Sequence, residues 1–351
     1  MSLENGGHRL ADTQPPHIPV RPDWLALHSE VALEPERPII DAHHHLWHFP
    51  EKSYMNADLL DDIGSGQNVR ATVFIECKTG YKTEGPVEFS PVGEIEFVLR
   101  EIRAAEERGA RTKVGAAIVA FADLSLGAKV SPVLDELISV SGGRVRGIRN
   151  IGVWHADPSV RASAATPPPH LLMDPRFREG FGQLAPRGLS FDAWVIHTQI
   201  DELCSLAQAF AQTRIVLNHV GGPLGIGPYR GRRSEVFDHW HKAMKTLASF
   251  PNVSIKLGGF GMTLFGFDFH EKARPPGSDV VAEAIRPYVE TCIELFGSSR
   301  CMFESNFPVD KGNFAYGVLW NAFKRITSGA SDAEKANLFH DTAADFYRIS
   351  V

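Results

Sequence analysis

Short apolar, β-branched runs alternate along this chain with longer stretches in which apolar residues recur every three or four positions. The runs fall at 38–43, 69–77, 112–120, 144–149, 188–197, 214–218, 251–257 and 299–304. Their length and composition read as buried strands. Helical spacing predicts helices at 91–108, 131–141, 174–186, 200–211, 233–249, 279–297 and 314–327, with a weaker stretch at 55–63. In the first of these, Val92, Ile95, Val98, Leu99 and Ile102 form one stripe. Ser331 and Glu334 have the spacing of a capping box and open a last predicted helix, 332–348, expected to cross the bottom of the fold or a neighbouring helix.

Strands alternating with helices favour a parallel sheet. No glycine-rich phosphate turn follows the first or second strand, as a doubly wound open sheet would require. Eight units therefore predict a (β/α)8 TIM barrel, with its chemistry at the C-terminal strand ends. The Gly- and Pro-rich stretches 152–170, 221–233 and 258–278 are expected to wall the site. Residues 38–351 read as one barrel domain, and 1–37 as an arm packed on its outside.

Composition narrows the function classes. With 351 residues, 43% of them hydrophobic, the chain can bury a large core. A net charge of -6, with no basic run longer than Arg230-Gly231-Arg232-Arg233, argues against nucleic acid as a partner. The four cysteines, Cys77, Cys204, Cys292 and Cys301, form no CxxC pair and read as reduced thiols. Residues 1–37 hold no apolar stretch of signal or membrane-span length, so a cytoplasmic protein without a membrane partner is expected. A homodimer is left open.

The unusual polar residues fall at the strand ends. His43 and His45 end the first strand, Glu76 the second, Arg149 the fourth, His197 the fifth and His219 the sixth, while Glu304 and Asn306 end the eighth. Two imidazoles one residue apart project from the same face of a strand, and imidazoles with carboxylates suit a divalent metal. Each residue also has a structural reading: Glu76 pairs with a cation, Arg149 sits in a rim salt bridge, His197 is a satisfied core histidine and His219 caps a glycine turn. Four histidines and two glutamates on one rim favour a metal site.

These residues resemble the amidohydrolase superfamily, in particular the lactonase-like group of the amidohydrolase-related (type 2) family. The resemblance runs from about Pro38 to the C-terminus. It is carried by Asp41-Ala42-His43-His44-His45-Leu46-Trp47, by Phe191-Asp192-Ala193-Trp194 with His197, by Asn218-His219-Val220-Gly221-Gly222, and by Arg300 through Pro308. It implies that His43, His45 and His197 match metal-ligand positions, and that His219 matches a residue that ligates metal or polarises substrate. Relatives carry an aspartate where this chain has Asn306, and an amide cannot act as a base near neutral pH. Glu304, two residues earlier on the same strand face, and Asp310 are the candidates to replace it.

The expected activity is hydrolysis of a small carboxylated lactone or related cyclic ester. Zinc or manganese, with iron as a further option, would be held by His43, His45, His197 and a carboxylate from Glu304 or Glu76. His219 would stabilise the oxyanion, Arg149 or Lys311 would anchor the substrate carboxylate, and Trp47, Trp154, Phe260 and Asn306 would shape the pocket. Three alternatives remain: a dinuclear iron or manganese oxygenase, a nonoxidative decarboxylase, and a degenerate barrel acting as a structural partner.

Overall fold

All eight runs form parallel strands in the computed structural model, which describes residues 17–160 and 165–351. They are β1 (Ile39–His44), β2 (Val69–Ile75), β3 (Lys113–Ala120), β4 (Val145–Ile151), β5 (Ser190–Trp194), β6 (Ile215–Leu217), β7 (Val253–Leu257) and β8 (Cys301–Phe303). Each pairs with the next in sequence. A parallel bridge between His44 and Phe307, with backbone bonds from Asn306 N–H to His43 O (2.9 Å) and from His45 N–H to Phe307 O (2.8 Å), joins the last strand to the first. The sheet is therefore the expected (β/α)8 barrel.

One main helix follows each strand: α1 (Asn56–Ile63), α2 (Val92–Glu107), α3 (Ser131–Val140), α4 (Pro175–Phe181), α5 (Ile200–Ala209), α6 (Arg233–Ala248), α7 (Ser278–Phe296) and α8 (Tyr316–Ile326). Alternation along the strands divides the core in two. Outward residues such as Phe74, Ile118, Phe191, Ile255 and Phe303 pack under the helices, while Ile40, Ala42, Val73, Ile75, Ala117, Val119, Val216 and Met302 fill the barrel.

The last predicted helix is broken into Asp332–Ala336, a π turn at Asn337–Asp341 and Thr342–Tyr347. Its capping box is present, with Ser331 Oγ accepting from Glu334 N–H and Glu334 accepting from Ser331 N–H. The final segment plugs the barrel floor, where Ala343, Phe346 and Tyr347 join the interior cluster. A small antiparallel hairpin, Trp47–Phe49 with Lys52–Tyr54, follows β1 and has no counterpart in the sequence reading.

Sixteen residues of the expected N-terminal arm, and 161–164 of the loop after β4, lie outside the described residues. From His17 onward the arm runs against the barrel. Trp24 Nε1 donates to Lys272 O (3.0 Å), Leu33 N–H donates to Asn321 Oδ1 (2.9 Å), and Ile18 presses on Gly312, where a Cβ would come within 2.6 Å of its backbone oxygen. Among the described residues, no helix is long and apolar enough to cross a membrane.

Candidate active site

The imidazoles of β1 reach the barrel interior through a shift in register. Asp41 pairs with Thr72 and His44 with Phe74, so β1 spends three residues where β2 spends two. In strict alternation His43 would follow Ile39 and Asp41 to the outer face. The extra residue lets Ala42 point inward and His43 do so as well, which is how a bulge re-aims a side chain. His44 stays outside, with its Nε2 2.8 Å from Thr72 Oγ1.

His43 is the hub of the interior cluster. Its Nε2 lies 3.2 Å from His45 Nε2 and 3.5 Å from the Arg149 guanidinium, and its Nδ1 lies 2.8 Å from Glu304 Oε2 and 3.4 Å from Lys256 Nζ. Glu304 Oε1 accepts from the backbone N–H of His219 (3.1 Å) and faces His219 Nδ1 at 2.7 Å. His45 Nδ1 faces the Ile75 carbonyl oxygen at 2.8 Å, an arrangement that puts its proton on Nδ1 and leaves Nε2 a lone pair. His43, His45, His219 and Glu304 are all buried.

Burial keeps these imidazoles neutral. His43 and His45 are pushed well below the usual imidazole range by desolvation, then by the charges of Lys256 and Arg149 respectively. Desolvation also lowers His219, with Glu304 pulling the other way. Neutral rings are the form that binds a metal.

Three glycines after β7 make room for these contacts. A Cβ on Gly258 would sit 2.3 Å from Glu304 Cγ, one on Gly259 would sit 2.5 Å from His219 Nδ1, and one on Gly261 would meet Asp310 at 2.7 Å. Gly259 also has φ +72°, a conformation that L side chains rarely adopt. Opposite it, His219 (φ 53°) and Val220 (φ 47°) themselves occupy the left-handed region, with Trp240 Nε1 donating to Val220 O at 2.7 Å. A β-branched residue in that region is strained backbone, and here it sets the direction of the His219 ring.

Several expected site residues are engaged elsewhere. Glu76 accepts from Arg149 Nε at 2.8 Å and Arg149 Nη2 also donates to the Glu76 carbonyl, while Nη1 stands 3.5 Å from His43 Nε2. His197 opens a turn beyond β5; its ring neighbours are Tyr229 (5.2 Å) and His239 (5.5 Å), and its Nδ1 accepts from Leu224 N–H. Ala193 and Val195 lie in the outer core, Ala193 by alternation from the inward Asp192. Asp310 accepts from Gly261 N–H and Asn306 Nδ2, both at 2.8 Å, which ties the loops after β7 and β8 together and occupies both its oxygens. Trp47 does stand at the rim, stacked on His45 at 6.0 Å. Trp154 packs near His170, and Phe260 against Phe265 and Tyr288.

Lys311 is held by Asp62 at 2.7 Å, and Asp62 also accepts from Tyr54. Lys311→Met is therefore expected to leave the substrate KM within about twofold and to cost roughly 1 kcal/mol of stability, checked by steady-state kinetics and urea unfolding.

The sequence reading passed over Lys256, which forms a fully buried ion pair with Asp192 at 2.7 Å inside the barrel. Tyr347 OH donates to Asp192 from the floor (3.1 and 3.0 Å), and Asn218 Nδ2 donates to it from the side (3.0 Å). The signal was available. Val253, Ile255 and Leu257 face the helices, so alternation sends Lys256 inward.

The match to a family model named amidohydrolase, over residues 40–349, settles what this architecture is. The chain belongs to the amidohydrolase family. It is 35% identical over 335 residues to an uncharacterized protein, y4mH, of Sinorhizobium fredii, covering 89% of this chain and 98% of that one. It is 27% identical over 317 residues to an L-fucono-1,5-lactonase of Burkholderia ambifaria, covering 88% of this amidohydrolase and 95% of the relative. The fold matches that of an amidohydrolase from Burkholderia multivorans crystallised with zinc, at a TM-score of 0.68 and 22% identity over 89% of this chain and 99% of that one. The chain is accordingly a hydrolase.

Buried histidines of this amidohydrolase weaken it toward acid, against the opposite pull of Asp41 and Glu94, whose carboxyls burial raises to about 6 and about 8. His44 is lowered to about 3, and His17 and His197 to about 4, chiefly by burial. An imidazole with a lowered folded pKa protonates more readily in the unfolded chain. Its stabilisation is full above the unfolded value near 6.5 and is lost as pH falls toward the folded one. The unfolding free energy in urea is expected to decline from pH 7 to pH 5; equal midpoints at the two pH values would contradict this.

Proposed function

We propose that this amidohydrolase opens a small, uncharged, hydroxylated lactone by adding water to the ring carbonyl. The observation that carries this reading is the buried Glu304 carboxylate, set between His219 Nδ1 and His43 Nδ1 beside the His43–His45 pair. The lactonase name of the Burkholderia ambifaria relative supports a lactone. A carboxylate on the substrate loses support because Arg149 and Lys311, its two expected anchors, are already paired with Glu76 and Asp62.

The residues fit a divalent cation. Glu304 Oε2 is buried with only the close contact to His43 Nδ1 at 2.8 Å, which is not a well-directed hydrogen bond, and ligand atoms of His43, His219 and Glu304 lie within 4.8 Å of one another. The Nε2 atoms of His43 and His45 face each other at 3.2 Å, about the separation of two nitrogens bound to one metal. His43, His45 and Glu304 would hold the ion, with His219 left unligated beside it, and a nitrogen-rich set with one carboxylate suits zinc or manganese. Such an ion supplies a Lewis acid that polarises the carbonyl and makes water acidic near neutral pH.

The protein's own groups do the rest. With the His219 Nδ1 proton directed at Glu304, the Nε2 lone pair is left to take a proton from the attacking water, and the carboxylate offsets the charge that develops on the ring. This replaces the oxyanion role expected for His219 with that of a base. Trp47 supplies an apolar wall on which a sugar ring can rest.

The test is a panel of neutral and carboxylated lactones assayed with a pH indicator on chelator-treated enzyme, with and without added zinc or manganese. Opening of neutral sugar lactones that returns with the metal is the expected result. A rate no higher than buffer across the panel with metal restored would sink the reading.

A further inference from the structure

Lysine is seldom fully buried, and the barrel interior is an unexpected place for one. Lys256 has no exposed surface. Its ammonium donates to Asp192 Oδ2 at 2.7 Å, lies 5.3 Å from the Tyr347 ring, and stands 3.4 Å from His43 Nδ1. Asp192 is itself fixed by Tyr347 OH and Asn218 Nδ2, so the ammonium is held in place from below. On the other side of the same imidazole, the Arg149 guanidinium lies 3.5 Å from Nε2. The hub histidine is thus flanked by two basic side chains.

We propose that Lys256 is a positioning residue that lowers the affinity of the His43 site for a divalent cation and restricts it to a single ion. This rests on the metal-binding reading given above. Like charges repel strongly at these separations where water is excluded. The charges around His43 also leave little for a second ion. Glu76 is neutralised by Arg149 and Asp192 by Lys256, which leaves Glu304 as the carboxylate in the cluster without a paired cation. One divalent ion meets that charge and two would exceed it. A dinuclear redox centre is correspondingly disfavoured.

Zinc titrated into the metal-stripped full-length chain against a fluorescent chelator measures the affinity, and cobalt(II) absorbance measures the stoichiometry. Lys256→Met is expected to bind zinc at least about tenfold more tightly, and Asp192→Asn, which leaves the ammonium uncompensated, about tenfold more weakly. The double variant K256M/D192N replaces a buried ion pair with neutral groups, a change folds usually tolerate, and is expected to gain affinity severalfold. A merely structural role would weaken binding in every variant. Unchanged or weaker zinc binding in both Lys256 variants, with cooperative unfolding retained, would overturn the proposal, as would two cobalt ions in the wild type. A wild type that binds neither metal refutes the metal reading. The inference then survives only if the Lys256 variants bind, and falls with that reading if they do not.

Discussion

Glu304→Gln is expected to lower kcat/KM for lactone opening by about a thousandfold while the chain stays folded. The amide keeps the size and one acceptor oxygen, so the contact to His219 N–H (3.1 Å) can persist. What disappears is the negative charge that fixes the Nδ1 proton of His219 and offsets a proton arriving at Nε2. The same substitution removes a charged ligand atom from the cluster with His43 and His219, so metal binding should weaken with it. Asp310→Asn provides the comparison. Both Asp310 oxygens accept N–H bonds from Gly261 and Asn306, so that variant should lose stability and keep most of its turnover. If Asp310→Asn proved the more damaging to kcat, the acid that replaces the missing strand-eight aspartate would have to be reassigned. Steady-state kinetics with thermal unfolding on both variants decides it.

Gly259→Ala is expected to be nearly as damaging, although it touches no substrate. The added methyl would lie 2.5 Å from His219 Nδ1, where nothing flexible can give way, and at φ +72° an alanine also costs about 1–2 kcal/mol of backbone strain. His219 must turn away from Glu304, so kcat should fall by at least about a hundredfold and the melting temperature by several degrees. Gly143→Ala is the control. It too has positive φ, but its Cβ would meet nothing within 4 Å, so it should lose stability alone. Equal losses of turnover in the two variants would mean that the crowding at His219 is not what matters.

The barrel was legible because period and length are properties of the chain itself: eight β-branched runs, each followed by a helical stripe, leave few other arrangements. His43, His45, His219 and Glu304 were legible because such residues stand out at strand ends. The pairings were harder to read. That Glu76 belongs to Arg149, and Lys311 to Asp62, depends on distances between elements far apart in the chain that no local pattern encodes. His197 was misplaced because alternation was carried past the end of β5 into a turn. Lys256 was missed for the opposite reason: a charged residue between Ile255 and Leu257 reads as solvent-facing until the strand is recognised as covered by helices on its outer side. The glycines at 258, 259 and 261 read as loop residues, yet their smallness lets two strands and an imidazole meet.

The offset between β1 and β2 makes the placement of His43 a matter of counting as much as of chemistry. Adding one residue to β2 between Thr72 and Phe74 would cancel the surplus step, and strict alternation from Asp41 would then turn His43 toward the helices with every side chain intact. An engineer transplanting the paired imidazoles into another barrel would have to carry this stagger along with them; copied without it, the same letters would spell a different surface.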